Sequence, residues 1–235
     1  MKKEKVFVHV IANCVIAFAV LAVALGGAYT VGALPVGAAK NRGIRQGNVA
    51  ERRITLMVNV YWGEEYLPEM LDVFKQEGVR TTFFVGGSWV AKHPDLLKRM
   101  AEEGHEIGNH GYLHKGCKNL SLNANREEIL LCHRLVKEYT GVEMNLFAPP
   151  SGELGDNMFT VCEQENYKVI LWSKDTIDWR DKDKDTVLKR VISDPQNGDL
   201  VLMHPTAHTL AALPEMIQKL KEKNFEITTV SQNLL

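Results

Sequence analysis

The sequence predicts an α/β fold, a mostly parallel sheet or barrel, preceded by an apolar N-terminal segment. From residue 53 onward, apolar runs typical of strands alternate with segments whose apolar residues recur at helical spacing. This alternation amounts to about seven β/α units without an internal repeat. The 235 residues, of which 45% are hydrophobic and 24% charged, suit one globular domain with an additional segment.

The N-terminal segment, residues 1–39, combines a basic start with an apolar stretch over residues 6–33. This stretch is longer than the roughly 20 residues that a helix needs to cross a bilayer and than the apolar core of about 7–15 residues in a secretory signal. We therefore expect an uncleaved signal-anchor, a single membrane span with the domain outside the cytoplasm. A cleaved signal and a secreted domain are the alternative, because small residues follow the stretch. Residues 40–52 are polar and contain glycine, which predicts a linker before a domain at residues 53–235.

The first half of the domain contains three predicted strands and two helices. ITLMVNV at residues 54–60 is a nearly continuous apolar run, typical of a buried parallel strand. Residues 66–77 place Leu67, Met70, Leu71 and Phe74 on one helical face, and Gly78 ends that helix. A strand at 81–85, a helix at 94–103 closed by Gly104, and a short strand at 106–109 follow.

The second half continues the alternation. Asn125 with Glu128 three residues later resembles a helix cap, so we expect a helix from Asn125 to Tyr139 that stops near Gly141. The remaining predicted strands are residues 146–147, 167–171, 200–203 and 226–230, and the remaining predicted helices are residues 156–165, 185–194 and 209–223.

Composition excludes some classes of function. The formal net charge of −1 gives no reason to expect nucleic acid as a partner. The four cysteines are scattered without a CxxC pair, which argues against a disulfide framework and a thiolate zinc site and for small buried side chains.

Three of the eight histidines lie in GHEIGNHGYLH, residues 104–114. A zincin motif is excluded, because HExxH needs histidines four residues apart and His105 and His110 are separated by five. His110 and His114 are four apart, so a helical turn between them would place both on one face, about 6 Å apart, where they can chelate an ion. The alternative is a pair of surface or hydrogen-bonding histidines, since zinc usually takes three protein ligands.

Five blocks in order resemble the polysaccharide deacetylase domain, also called the NodB-homology domain or carbohydrate esterase family 4. They are TTFFVGG (81–87), GHEIGNHGYLH (104–114), APPSG (148–152), WSKDTIDW (172–179) and DLVLMH (199–204). The resemblance covers residues 54–235 and implies a distorted (β/α) barrel, in agreement with the alternation. The N-x-x-W-G pattern at the first strand resembles an envelope-associated, often sporulation-linked branch of the family.

The resemblance implies a metal-dependent hydrolase that removes N-acetyl groups from envelope polysaccharide, such as peptidoglycan or a chitin-like glycan. His110 and His114 fall on the family's ligands for a divalent metal (zinc, cobalt or nickel), and His204 falls on its general acid. Asp178 is counted with the catalytic residues as a groove aspartate. The residues assigned to the substrate groove are Trp62, Pro149, Pro150, Trp179 and Leu202.

The first motif of the family is changed in this chain. The family has two adjacent aspartates, a catalytic base and a third metal ligand, where this chain has Asn59 and Val60. The amide of Asn59 cannot accept the proton of an attacking water, and Val60 has no lone pair for a metal. General-base catalysis is usually worth about 10²–10⁴-fold in rate, so these changes weigh heavily. The carboxylates that could substitute are those of Glu64, Glu65, Asp175 and Asp178.

Three interpretations remain open from the sequence. The chain is a membrane-anchored deacetylase with a recruited base, a catalytically inactive glycan-binding or scaffolding descendant, or a hydrolase of the same fold with a small substrate. Asn59 and Val60 favour the second interpretation. The three histidines His110, His114 and His204 favour retained chemistry. A carboxylate oxygen within metal-ligand reach of His110 and His114 would decide between the first two interpretations.

Overall fold

The computed structural model describes residues 43–235, which form eight strands in one sheet. The strands are β1 (Arg53–Val60), β2 (Thr82–Val85), β3 (Glu106–Asn109), β4 (Leu146–Phe147), β5 (Lys168–Val169), β6 (Lys174–Asp175), β7 (Asp199–Met203) and β8 (Glu226–Ile227). The order is β5-β4-β3-β2-β1-β7-β6, β8 also pairs with β1, and all these ladders are parallel. The predicted (β/α) barrel is confirmed as a curled parallel half-barrel.

Helices connect the strands. They are α1 (Leu67–Gln76), α2 (Gly87–Val90), α3 (Pro94–Glu102), α4 (Leu122–Thr140), α5 (Asp156–Gln164), α6 (Lys184–Ile192), α7 (Ala207–Glu222) and α8 (Val230–Asn233). Two 3₁₀ turns, at Cys117–Asn119 and Pro150–Gly152, lie in the connections after β3 and β4. A parallel strand needs a long crossover to the next strand, and the helices supply it.

The sheet separates two hydrophobic clusters. Along β1, Leu56 and Val58 belong to the larger cluster, which also contains the apolar faces of the helices. Met57, between them, belongs to the smaller cluster on the concave face, with Phe84 of β2 and Leu200 of β7. Successive side chains of a strand point to opposite faces, so a nearly continuous apolar run serves both clusters.

The C-terminal helix α8 packs at the amino end of β1, and the start of the described chain runs between the segment after β5 and the first residue of β7. Asn233 of α8 donates a hydrogen bond from Nδ2 to Thr55 Oγ1 (3.1 Å) inside the curled sheet. Ile44 forms a parallel bridge with Ile170 and packs against the smaller cluster. The carboxyl ends of the strands therefore remain as the open end of the half-barrel.

Several element boundaries differ from the sequence prediction, and capping side chains explain two of the differences. Helix α4 begins at Leu122 rather than at Asn125, because the side chain of Ser121 accepts the hydrogen bond of the N-cap. Asn125 is instead buried and donates from Nδ2 to Leu120 O (3.2 Å). The strand predicted at residues 226–230 ends at Ile227, because Thr229 begins a capping box with Gln232 that starts α8.

Two other predictions concern the cysteines and the chain's N-terminal segments. Cys117, Cys132 and Cys162 are free and buried, as expected of small apolar side chains.

The predicted signal-anchor at residues 1–39 lies outside the described residues. Between residues 43 and 235, no helix is both long and apolar enough to cross a bilayer. The described part of the predicted linker, residues 43–52, forms bridges to β7 and to the residue after β5.

Candidate functional site

A cavity of about 440 Å³ opens at the carboxyl ends of the strands. This size is usual for a small-molecule site, and this end of a parallel sheet is where ligands bind. It is lined by Asn59, Tyr61, Trp62, His110, His114, Ser151, Gly152, Trp172, Asp175, Trp179, Leu202 and His204. The cavity therefore brings together strand ends that are far apart in the sequence.

His110 and His114 face each other in this cavity. Their ring centroids are 4.9 Å apart, with an interplanar angle of 70°. His110 Nδ1 lies 2.7 Å from Ala148 O, so Nδ1 carries the proton and Nε2 keeps a lone pair. Burial, followed by the neighbouring His114, lowers the pKa of His110 to about 3. Burial also lowers the pKa of His114, so both imidazoles are neutral at physiological pH.

The pair meets through a loop, and not through the helical turn that the sequence left open as the alternative. Gly111 has φ 77° and His114 has φ 56°, both left-handed, which no right-handed helical turn contains. Buried Glu128 of α4 holds the loop by accepting the Leu113 N–H at 2.8 Å. Asn109 Oδ1 accepts the Gly111 N–H at 2.9 Å, so both sides of the loop are held by buried side chains.

Asn59 and Val60, at the two changed positions, have different surroundings. Asn59 lines the cavity, and its buried Oδ1 has no hydrogen-bond partner among the described residues. Val60 is fully buried in the larger hydrophobic cluster, on the helix side of β1. The cavity thus contains a neutral amide where a base would have to act, and Val60 belongs to the apolar packing.

The donor set does not fit a catalytic divalent metal. Zinc in a catalytic site is normally held by three protein ligands, commonly including a carboxylate or a third imidazole. Within residues 43–235, no group of three His, Cys, Asp or Glu side chains is arranged to hold a metal ion. His110 and His114 offer two neutral nitrogens, and the orphaned Asn59 oxygen is a weak neutral third donor.

The four carboxylates considered as substitutes occupy different places. Glu64 lies 3.9 Å from His93, and Glu65 borders a neighbouring cavity. Asp178 is fully buried and points its oxygens at its own hydrogen-bond donors. Only Asp175 lines the main cavity, and one of its oxygens accepts the Ile177 N–H at 2.8 Å.

His204 is held in place by Asp178. The His204 Nδ1 and backbone N–H approach the two Asp178 oxygens at 2.8 and 2.6 Å, and Thr209 Oγ1 donates to the same carboxylate at 2.6 Å. Burial alone would raise the pKa of Asp178, but these hydrogen bonds outweigh it and lower that pKa. A buried carboxylate on Nδ1 fixes the tautomer and leaves Nε2 of His204 for the cavity. Asp178 therefore acts through His204 and does not itself line the main cavity.

Aromatic rings surround the histidines. Trp62 stacks on His204 with centroids 5.8 Å apart and ring planes 8° apart. The next residue, Gly63, has φ 81°, and a Cβ there would lie 2.1 Å from Pro205 O. Only glycine allows β1 to turn this closely against the loop after β7, which brings Trp62 over His204. Tyr61 lies against His114 with ring centroids 4.8 Å apart.

Left-handed backbone is concentrated at this site. The described residues contain five non-glycine residues with positive φ, which are His114, Ser151, Asn166, Ile177 and Asn224. The two asparagines tolerate this conformation, and each follows a helix end. The other three line the main cavity or adjoin Asp178, and a β-branched residue at φ 50°, as in Ile177, is a genuine outlier. Such strain persists where the surrounding structure enforces it, typically at binding sites.

Most of the residues that the sequence singled out converge on one cavity. Asn59, Trp62, His110, His114, Trp179, Leu202 and His204 all line it. Pro149 and Pro150 do not; both are buried, and Ser151 and Gly152 of the same loop line the cavity instead. Sequence reasoning did not assign a role to Tyr61 or Trp172, although Tyr61 directly precedes Trp62 and Trp172 is the first residue of the WSKDTIDW block.

Comparison with known proteins identifies similar sequences and folds. The family model described as polysaccharide deacetylase matches residues 46–170. The uncharacterized protein YlxY of Bacillus subtilis is 34% identical over 189 residues, which are 80% of this chain and 59% of that protein. A peptidoglycan-N-acetylglucosamine deacetylase of Bacillus cereus is 33% identical over 175 residues, 72% of this chain and 82% of that protein. The chain spans about three fifths of the first curated relatives it matches.

A solved structure with the same fold is BA3943 of Bacillus anthracis, described as a carbohydrate esterase family 4 pseudoenzyme. Its TM-score is 0.80 at 35% identity, over 82% of this chain and 69% of that chain. A mutant of BA3943 is described as having restored enzymatic activity and matches with a TM-score of 0.80 at 34% identity, over 82% of this chain and 71% of that chain.

Proposed function

The chain belongs to the polysaccharide deacetylase family, and from this premise we propose that it is a glycan-binding member that holds N-acetylated envelope polysaccharide without efficient hydrolysis. The observation that carries this proposal is Asn59. It stands in the cavity wall beside the histidines, at the position of the family's base, and its amide cannot accept the proton of a water.

Three features support binding rather than a collapsed site. The cavity has a volume of about 440 Å³ and several aromatic side chains in its wall, whose flat apolar faces can cover the C–H face of a sugar ring. The His204–Asp178 pair keeps a directed Nε2 at the cavity. His114 and Ser151, which line the cavity, adopt left-handed backbone conformations that are unfavourable for residues other than glycine.

In this interpretation the histidines are recognition groups. Neutral His110 and His114 accept hydrogen bonds, and His204 presents Nε2 to an acetamide or a hydroxyl group. Leu202 offers an apolar surface for the methyl of the acetyl group. The similarity to BA3943 supports the same conclusion, since that protein has the fold and is described as a pseudoenzyme.

Asp175 supports a second candidate function, residual deacetylation. It is the one carboxylate in the main cavity wall among the described residues, and His204 stands in the same wall. Asp175 would take the proton of an attacking water, and His204 would give a proton to the departing amine. Because the donor set does not fit a catalytic metal, such a reaction would lack a Lewis acid and be slow.

The test combines binding and turnover on the same preparation of the full chain. N-acetylglucosamine oligomers and peptidoglycan fragments are titrated by calorimetry, and acetate release is measured with zinc, cobalt or nickel present and absent. We expect saturable binding that His204→Ala weakens, and no acetate above background. Acetate release that Asp175→Asn abolishes would favour the second candidate function. Absence of binding to any glycan would overturn the proposal.

We propose further that residues 1–39 anchor the domain to the membrane, outside the cytoplasm. The support is the length and uniform apolar character of residues 6–33. Fractionation of cells that express the full chain is expected to find it in the membrane pellet and accessible to external protease once the wall is removed. Recovery of a shortened chain from the medium would instead identify a cleaved signal.

A further inference from the structure

A separate cavity of about 500 Å³ lies at the amino ends of the strands, at the opposite end of the sheet from the main cavity. Its wall is formed by the connections that lead into β2 and β3, by β8 and by the first residues after β8. Its volume is in the range of small-molecule sites. We call it the amino-end cavity and consider which ligand its wall would hold.

His105 brings a buried hydrogen-bond donor to the amino-end cavity. The residue is 7% exposed and lines this cavity. Its Nδ1 accepts the Thr81 N–H at 3.1 Å, so the proton of the neutral ring is on Nε2. Within residues 43–235, Nε2 has no hydrogen-bond partner. Because an unpaired polar group in a buried side chain is costly, this N–H favours a ligand that carries an acceptor.

Most charged groups of the wall are already paired within the protein. Glu226 accepts a hydrogen bond from Arg53 at 3.1 Å. Glu103 accepts one from Arg99 at 3.0 Å, and Lys75 lies 3.9 Å from the same oxygen of Glu103. These three carboxylates and ammonium groups of the wall are therefore satisfied without a ligand.

One cation and one anion of the wall remain available. In the described part of the chain, the side chains of Arg80 and Glu102 make neither a hydrogen bond nor an ion pair. The Arg80 guanidinium lies over Gly104, where a Cβ would come within 2.9 Å of the Arg80 Nε. The missing Cβ thus gives the guanidinium room against the turn that leads to His105.

These charges select the class of ligand. A lone anion would be attracted to Arg80 but repelled by Glu102, and a lone cation the reverse. A molecule with both charges satisfies both groups. The wall also has an apolar part, formed by Val79 and Ile227.

We propose that the amino-end cavity binds a zwitterion of the α-amino-acid class with an apolar side chain. The ligand carboxylate binds the Arg80 guanidinium, whose planar donors match a carboxylate, and accepts the His105 Nε2–H. The ligand ammonium donates to Glu102. The apolar side chain of the ligand packs against Val79 and Ile227. This site is independent of the glycan site at the carboxyl ends of the strands.

The experiment is a saturation-transfer NMR titration of the full chain with leucine and two leucine analogues that each lack one charge. They are 4-methylpentanoate, which lacks the ammonium, and 3-methylbutylamine, which lacks the carboxylate. Leucine is expected to bind saturably and at least about tenfold more tightly than either analogue, because each analogue loses a hydrogen-bonded charge.

Variants of the two unpaired residues locate the ligand. Arg80→Gln is expected to weaken leucine binding at least about tenfold, and Glu102→Gln about threefold. Both residues are exposed, so neither change is expected to disturb folding. Arg134→Gln and Glu163→Gln change exposed residues of the same types that line neither the main nor the amino-end cavity, and both are expected to bind leucine like the wild type.

Three results would overturn this inference. The first is the absence of saturable leucine binding by the wild type. The second is an analogue that binds as tightly as leucine, since the site would then recognise a single charge. The third is unchanged leucine binding in both Arg80→Gln and Glu102→Gln, which would place leucine elsewhere on the protein.

Discussion

At the scale of single residues, the chemistry of the site is determined by Asn59. The cavity holds two neutral imidazoles and one amide oxygen without a partner, and within residues 43–235 no carboxylate joins His110 and His114 in a set that could hold a metal ion. An uncharged donor set of this kind lacks the anionic or third protein ligand that normally holds a divalent cation. A single change of side chain should therefore alter the preferred ligand.

Asn59→Asp is expected to raise the affinity for zinc at least about tenfold, about 1.4 kcal/mol, because it adds an anionic oxygen beside His110 and His114. Calorimetric titration with zinc at pH 7.5 measures the change. Asn119→Asp, which adds the same charge at an exposed position away from the cavity, serves as the control. Equal zinc affinity in wild type and Asn59→Asp would contradict the placement of this side chain beside the histidines.

His105 provides a second residue-scale prediction, remote from the site. Its Nδ1 accepts the Thr81 N–H at 3.1 Å, and its ring packs edge-on against Phe74 and Phe83. Burial is the main cause that lowers its pKa from 6.5 to about 4. Between pH 4 and pH 6.5, His105 is therefore protonated in the unfolded chain and neutral in the folded domain. The stability associated with neutral His105 is complete above pH 6.5 and is lost as the pH falls toward 4.

We expect this single group to remove roughly 3 kcal/mol of unfolding free energy across that pH range. Urea unfolding of the wild type and of His105→Asn at pH 7.5, 6.0, 5.0 and 4.5 (about half a unit above the folded pKa) tests it, since asparagine keeps an acceptor and cannot be protonated. The variant should be less stable at pH 7.5 and should lose less stability on acidification. Parallel pH profiles for the two proteins would show that His105 does not contribute to the dependence.

At the scale of elements, the connections after the strands shape the site. The turn after β1 depends on Gly63, the loop after β3 on Glu128 and Asn109, and the loop after β4 on a left-handed Ser151. The strands themselves are ordinary parallel strands. The specific geometry is therefore held by buried polar contacts and tight turns outside the regular elements.

Gly63→Ala is expected to destabilise the domain by about 3 kcal/mol or more, because a Cβ 2.1 Å from Pro205 O forces the turn apart. Gly78→Ala is the matched control, since Gly78 has φ 65° but nothing within 4 Å of its Cβ, and only the left-handed penalty of about 1 kcal/mol applies. Chemical denaturation compares the two variants. Equal losses in both would mean that the contact with Pro205 is not the constraint on this turn.

At the scale of the whole molecule, residues 43–52 connect parts of the fold that are distant in sequence. Ile44 exchanges backbone hydrogen bonds with Val169 (2.9 Å) and Leu171 (2.7 Å), and the Asn48 N–H donates to Asn233 O at 2.7 Å. These contacts join the start of the described chain to the end of β5 and to the last helix.

A chain that begins at residue 53 is accordingly expected to melt at least about 5 °C below one that begins at residue 42. The shorter chain loses several backbone hydrogen bonds and the packing of Ile44, and in a domain of this size each 1 kcal/mol corresponds to about 2–4 °C. Differential scanning calorimetry of both chains makes the comparison. Identical melting temperatures would mean that residues 43–52 contribute nothing to the domain and behave as the linker that their composition predicts.

The sequence by itself determined the alternation of strands and helices, the pairing of His110 with His114, and the neutral residue at position 59. These features depend on local periodicity and on side-chain chemistry, both of which can be recognised in the linear amino-acid sequence. The start of α4 after Ser121 and the end of β8 at Ile227 depend on which side chain caps the neighbouring helix. The periodicity of apolar residues does not distinguish between the possible capping residues.

Only the tertiary structure decided which side chains share the cavity. Asp175 lines it and Asp178 does not, although they lie three residues apart in one motif, because Asp178 turns inward to His204 and Thr209. The contact of Trp62 with His204 likewise joins β1 to the end of β7 across more than half of the domain. Such contacts are set by how distant strands pair and how their connections pack, and no local pattern in the sequence encodes that arrangement.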